Sequence, residues 1–148
     1  MNEIDEIHNI LLNSFEPYRI YFTVECFSSA VLSPGEIKKR IKNNIFKVYV
    51  VIIDKKIVGT ASILPQDDRY YLRSMAVDPN YQNKGIGLFI LENISNVAEK
   101  ENIRKISLES FKPLHKAIGF YEKYGFKKTG ITKDLCGNEI FEMIKELD

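Results

Sequence analysis

The chain has 148 residues, 45% hydrophobic and 28% charged, which is the mixture of a folded domain rather than a disordered one. Twenty-one Lys and Arg balance twenty Asp and Glu, and the net charge of +1 carries no electrostatic footprint for nucleic acid. No apolar run approaches the roughly 20 residues that cross a bilayer. The two cysteines, Cys26 and Cys136, and the two histidines, His8 and His115, have no metal-ligand spacing. The first residues, Met1-Asn2-Glu3-Ile4-Asp5-Glu6, are acidic where a secretory leader is basic. The expectation is one domain over residues 1–148, cytoplasmic, with no metal, nucleic-acid or membrane partner.

Ile4, Ile7, Leu11, Leu12 and Phe15 follow helical spacing, with Asn2 or Asp5 available as a cap. Pro17 breaks this helix, and the apolar stretch 18–31 is expected to form a second one. Ser33-Pro34-Gly35-Glu36 offers a Ser cap, Pro at the first helical position and Glu three residues after the cap, opening a short helix to about Asn43. The period then changes. Residues 46–53 and 56–64 read as a hairpin across Asp54-Lys55, and 69–77 as a third strand ending at Asp78-Pro79.

A glycine-containing loop leads into a helix with an apolar stripe of Ile90, Leu91, Ile94, Val97 and Ala98. Residues 104–109 form a strand that a crossover helix would make parallel to its predecessor. A short helix over 115–124 stops at Gly125, and strands 126–133 and 139–147 flank the turn Cys136-Gly137-Asn138. The whole is a mixed α/β sheet covered by helices.

Chemistry concentrates in Met75-Ala76-Val77-Asp78-Pro79-Asn80-Tyr81-Gln82-Asn83-Lys84-Gly85-Ile86-Gly87. A strand runs out and two glycines lead directly into a helix, so the N–H groups from Asn83 to Leu88 can converge on one anion. Such a nest suits a pyrophosphate and needs little side-chain charge. At Gly85 and Gly87 a Cβ would stand in the way of the phosphates. The alternative is a turn that only joins strand to helix. The loop lacks the Gly-Lys-Ser/Thr ending of a nucleotide P-loop and the three glycines of the dinucleotide fingerprint.

Leu72 to Pro79 followed by Gln82-Asn83-Lys84-Gly85-Ile86-Gly87 resembles the acetyl-CoA motif Q/R-x-x-G-x-G/A of the GNAT superfamily of N-acetyltransferases. Ala117-Ile118-Gly119-Phe120-Tyr121-Glu122-Lys123-Tyr124-Gly125-Phe126 resembles that family's A-x-x-F/L-Y-E-K-x-G-F. The resemblance covers about two-thirds of the chain well and the first third loosely. It implies a GNAT-like sheet of about six strands, parallel and antiparallel, with a central splay that holds the pantetheine arm. It implies backbone contacts from Met75, Ala76 and Val77, and a phosphate cradle from Gln82, Asn83, Lys84, Gly85, Ile86, Gly87 and Leu88. Tyr121 would protonate the departing thiolate, against the alternative of a core aromatic.

Three departures accompany the match. Leu114 stands where the family commonly has an asparagine on the pantetheine, leaving that contact to Ser110 or to backbone. The helix begins almost at once where the family usually has a strand first, which leaves two alternatives: a sheet without that edge strand, or a sequence that starts short of it. Tyr71 fills a position where some relatives carry a catalytic glutamate, so Glu109 and Glu25 are the candidate bases, each against the alternative of a solvated acid. Lys84, Lys112, Lys116 and Lys123 are further candidates for the CoA phosphates, against the alternative of solvated lysines, and only Lys84 lies within the motif.

The resemblance thus implies direct transfer from acetyl-CoA, as cosubstrate and without metal, to a primary amine of a small molecule, a protein N-terminus or a lysine. The acting species would be a monomer or homodimer. The alternatives are a non-catalytic acyl-CoA-binding regulatory module and a transferase of another acyl group.

Overall fold

In the computed structural model, which describes residues 2–148, helix α1 (Glu3–Phe15) starts at Asn2, whose Oδ1 accepts the Asp5 N–H at 2.9 Å. Asn2, not Asp5, is the cap. The single helix expected over 18–31 is corrected to two pieces: a 3-10 turn (Glu16–Tyr21) and α2 (Val24–Ala30). Phe22 between them is extended, and Thr23 restarts the helix by accepting the Cys26 N–H on Oγ1 at 3.2 Å. A threonine cap contributes on the order of 1 kcal/mol, enough to place a boundary inside an apolar run. Helix α3 (Pro34–Asn43) begins at the Ser33 cap, where Ser33 accepts the Glu36 N–H and donates to its carboxylate.

The sheet comprises β1 (Lys47–Ile53), β2 (Lys56–Pro65), β3 (Tyr70–Val77), β4 (Lys105–Ser110), β5 (Lys127–Leu135) and β6 (Asn138–Glu146), in the spatial order β1-β2-β3-β4-β6-β5. Helix α4 (Ile86–Lys100) crosses over between β3 and β4, and that pair alone is parallel. Helix α5 (His115–Tyr124) follows β4 and ends at Gly125, whose φ of +110° favours glycine. Among the described residues no strand precedes α1, and β1 is one edge of the sheet.

Two apolar layers hold the sheet from opposite faces. Ile86, Ile90, Leu91, Ile94 and Ala98 of α4 pack with Ile118 and Phe126 on Val58, Ile63, Leu72, Ile106 and Met143. Ile7, Ile10 and Leu11 of α1 pack with Phe27, Val31, Leu32 and Ile37 on Ile57 and Ala76. Gly59 lets α4 approach closely, because a Cβ there would lie 3.2 Å from both Ile86 and Ile90. No helix among the described residues is long and apolar enough to cross a membrane.

Candidate active site

Strands β3 and β4 pair for two rungs only, Tyr70 with Ile106 and Tyr71 with Ser107. The cause lies in β3. Opposite β2 its register shifts between Thr60 and Ser62, which face Ala76 and Arg73, so Ser74 and Met75 together oppose the one residue Ala61. Ser74 has φ +53°, and Arg40 of α3 donates to its hydroxyl at 3.1 Å. Such a bulge bends the strand and raises its twist. Before it Tyr70 and Leu72 face α4. After it Met75 and Val77 face that layer while Ala76 turns to α1.

Meanwhile β4 stays paired with β6 as far as Ser110 opposite Phe141. A wedge opens between β3 and β4, with the β3 edge from Leu72 to Val77 unpaired on that side.

The wedge runs into the start of α4. Gly85 is its cap residue at φ +81°, Asn83 is also left-handed at +63°, and no side chain caps the helix and no acid occupies its first turn. The first N–H groups therefore face outward. Gln82 braces this loop: its Nε2 donates to the Val77 carbonyl at 3.1 Å. Lys84 lies over the Tyr81 ring, 5.3 Å from its centroid.

The two glycines have different protein surroundings. A Cβ on Gly85 meets nothing within 4 Å, so open space and backbone conformation explain that glycine. A Cβ on Gly87 would lie 3.1 Å from the Phe120 ring and 3.6 Å from Met75, so it is packing against α5 that excludes a side chain there. Ile86 is buried and Leu88 exposed.

Among the described residues, Ser107 and Ser110 carry the buried hydroxyls without a partner. Ser110 ends β4, three residues beyond the last rung shared with β3, and an orphaned hydroxyl there fits a polar group of a bound molecule. Together with the open space over Gly85, it makes the wedge a fit for an extended arm ending in phosphates.

Tyr121 of α5 packs against Phe120 and Phe126, with centroids 5.6 and 5.5 Å away. Its hydroxyl has no partner among the described residues, and burial pushes its pKa up to about 12. Glu109 accepts the Tyr71 hydroxyl and pairs with Lys133 at 2.8 Å. Burial and the adjacent carboxylate both raise the Tyr71 pKa, so it remains a donor. Glu25 is exposed in the first turn of α2, where its charge favours the helix. His115 is exposed, with Nδ1 against the Pro113 carbonyl. Cys26 is buried, and burial raises its thiol pKa.

Sequence reasoning missed Asn138. The segment from α1 to α2 straps the open end of the wedge. At one end Ser14 donates to the Val77 carbonyl at 3.1 Å. At the other, Asn138 accepts the Thr23 N–H at 3.0 Å and donates to the Tyr21 carbonyl at 3.0 Å. The Phe22 ring lies between, 4.5 Å from that of Phe111, which follows Ser110.

The family model described as the acetyltransferase (GNAT) family matches residues 4–126. Over 88 residues the chain is 30% identical to N-acetyltransferase 8B of Homo sapiens, covering 55% of this chain and 39% of that one. Over 67 residues it is 34% identical to the [ribosomal protein bS18]-alanine N-acetyltransferase of Escherichia coli, covering 45% of each. The chain thus spans less than half the length of these curated relatives. The crystal structure of a PaiA N-acetyltransferase from Thermoplasma acidophilum in complex with coenzyme A superposes with a TM-score of 0.79 at 20% identity, covering 97% of this chain and 92% of that one. That likeness is one of fold.

Proposed function

The chain belongs to the GNAT acetyltransferase family, and on that premise we propose that it transfers an acetyl group from acetyl-CoA to a primary amine. The observation that carries this reading is the wedge, which opens after two rungs onto an uncapped helix start. The unpaired edge at Met75, Ala76 and Val77 would hold the amides of the pantetheine arm, with Ser110 supplying the contact that Leu114 cannot. The N–H groups of residues 83–88 would hold the pyrophosphate, steadied by the Gln82 brace.

Acetyl-CoA supplies the thioester whose carbonyl is attacked and whose thiolate departs. Around it the chain provides three functions. Backbone N–H near Val77 meets the developing oxyanion. Tyr121, un-ionised at neutral pH, donates to the departing sulfur. Glu109, held by Tyr71 and Lys133, takes the proton from the amine directly or through water. The relative that acts on a ribosomal-protein alanine supports a polypeptide α-amine as the first acceptor to try.

Thiol release from acetyl-CoA with spermidine, lysine, kanamycin and an alanyl decapeptide tests the proposal. Turnover with at least one amine above the water background is expected. Calorimetric CoA binding without any amine-dependent release would make the protein a non-catalytic acyl-CoA-binding module instead. Faster release from propionyl-CoA would change the acyl group.

A further inference from the structure

We infer that Asn138 is a positioning residue for the acceptor: its side-chain amide pins residues 21–23 to the start of β6 and so holds the Phe22 ring across the mouth of the wedge. This rests on reading the wedge as the acetyl-CoA site, with the amine approaching from the strap side.

Cys26 and Phe27, one turn beyond Thr23, are buried, and the Arg19 guanidinium lies 4.0 Å over the Phe27 ring, but residues 20–23 themselves have little else to hold them. Between Ser14 and Thr23 the strap is mostly a 3-10 turn, whose hydrogen bonds are poorly aligned, and Ile20 and Tyr21 are 84% and 52% exposed. Its one ion pair, Arg19 with Glu16, is local to the turn. Phe22 contributes ring contacts to Phe15, Phe27 and Phe111, which resist removal from the cluster but leave sliding over it open. Position is set by hydrogen bonds, and among the described residues those between residues 21–23 and the sheet all come from one amide. Oδ1 of Asn138 accepts from the Thr23 N–H at 3.0 Å and from its hydroxyl at 3.4 Å, while Nδ2 donates to the Tyr21 carbonyl at 3.0 Å. Donors on one side and a carbonyl on the other fix the orientation of the amide.

The local backbone is built for this approach. Cys136 and Gly137 form a tight turn at φ +50° and +90°, and a Cβ on Gly137 would lie 3.2 Å from the Thr23 side chain. Asn138 then begins β6 three residues before Phe141, the partner of Ser110. One residue thereby ties the strap to the strand that keeps β4 in place. Since Phe22 rests on Phe111 beside Ser110, the amide sets the width of the passage between strap and sheet.

Asn138→Ala and Asn138→Asp, compared with the unaltered chain, provide the test. Asp keeps an acceptor for Thr23 and loses the donor to Tyr21, so it should fall between the other two. Amide hydrogen exchange of residues 20–24 should accelerate at least tenfold in Asn138→Ala, with α4 and β4 unchanged. With the alanyl decapeptide as probe, the KM for peptide should rise five- to twentyfold, while the KM for acetyl-CoA stays within twofold. Unchanged exchange at 20–24 overturns the inference. So does a peptide KM that stays put, or one that rises in step with the KM for acetyl-CoA, which is the mark of a general loss of structure. An unaltered protein that binds CoA but acetylates no amine removes the parent reading and the acceptor role with it, whatever the exchange shows.

Discussion

The Tyr71 hydroxyl donates to the Glu109 carboxylate across the root of the wedge, joining β3 and β4 just where their backbones cease to pair. Tyr71 sits on the last rung, opposite Ser107, and Glu109 lies two residues further along β4 on the same face. With Lys133 at 2.8 Å on its other oxygen, the carboxylate is held from both sides. A glutamate so placed can accept a proton without first having to be oriented.

Glu109→Gln keeps the size and the hydrogen-bonding shape but removes the basic oxygen. Turnover should fall roughly 10²-fold or more, the usual worth of a positioned base, with little change in CoA affinity by calorimetry. Tyr71→Phe leaves Glu109 with Lys133 and should cost less. Equal turnover in Glu109→Gln and the unaltered protein, with chemistry rate-limiting, would rule the carboxylate out as the base.

The two loop glycines should separate experimentally. Gly85→Ala places a Cβ in open space at φ +81°, a conformation that costs a non-glycine residue roughly 1–2 kcal/mol. Gly87→Ala instead pushes on Phe120, 3.1 Å away. Shrinking that neighbour, as in Gly87→Ala with Phe120→Leu, should recover melting temperature lost by Gly87→Ala, whereas Phe120→Leu should do nothing for Gly85→Ala. Identical responses of the two glycines to Phe120→Leu would show that they share one role.

Much of this was legible in the chain itself, because caps and turns are local. Asn2, Ser33-Pro34-Glu36, Asp54-Lys55 and Gly125 each mark a boundary within four residues, and the structure keeps all of them. The crossover helix made β3 and β4 parallel, but nothing local states how many rungs they share. That depends on the bulge at Ser74, steadied by Arg40 from 34 residues away. The run 18–31 misled because Phe22 and Phe27 look like parts of one helix, while the restart at Thr23 is a polar signal inside an apolar stretch. The Asn138 contact spans 115 residues to Thr23, and a lone Asn after Cys-Gly reads only as a turn.

Gly59 tests the layer beneath the loop. Its alanine variant would put a methyl 3.2 Å from both Ile86 and Ile90, in a core with no slack on the α4 side. Overpacking of this kind costs roughly 1–3 kcal/mol. Gly59→Ala should therefore lower the denaturant midpoint, and adding Ile90→Val should regain part of the loss. A midpoint unmoved by Gly59→Ala would mean that α4 can lift off β2 without penalty.

Tyr121 gives the pH dependence. Its neighbours are aromatic rings and its hydroxyl meets no charge, so burial alone pushes its pKa up to about 12, against about 10 for a free tyrosine. The folded chain therefore keeps a proton that the unfolded chain releases as pH passes 10. By linkage the folded state binds more protons in that window, so its stability falls with rising pH. The contribution is complete below pH 10 and is lost as pH climbs through about 12. Tyr121→Phe removes the titrating group, and its stability should decline less steeply between pH 10 and 12 than that of the unaltered protein. The same substitution keeps the ring packing and deletes the proton donor, so at neutral pH it should leave CoA binding and melting temperature nearly unchanged. Turnover should drop roughly 10²–10⁴-fold if that hydroxyl meets the departing sulfur. Parallel alkaline stability curves would show that Tyr121 is not the shifted group. Full turnover in the phenylalanine variant, measured where chemistry limits the rate, would leave the residue a packing role and send the search for the thiolate's proton elsewhere.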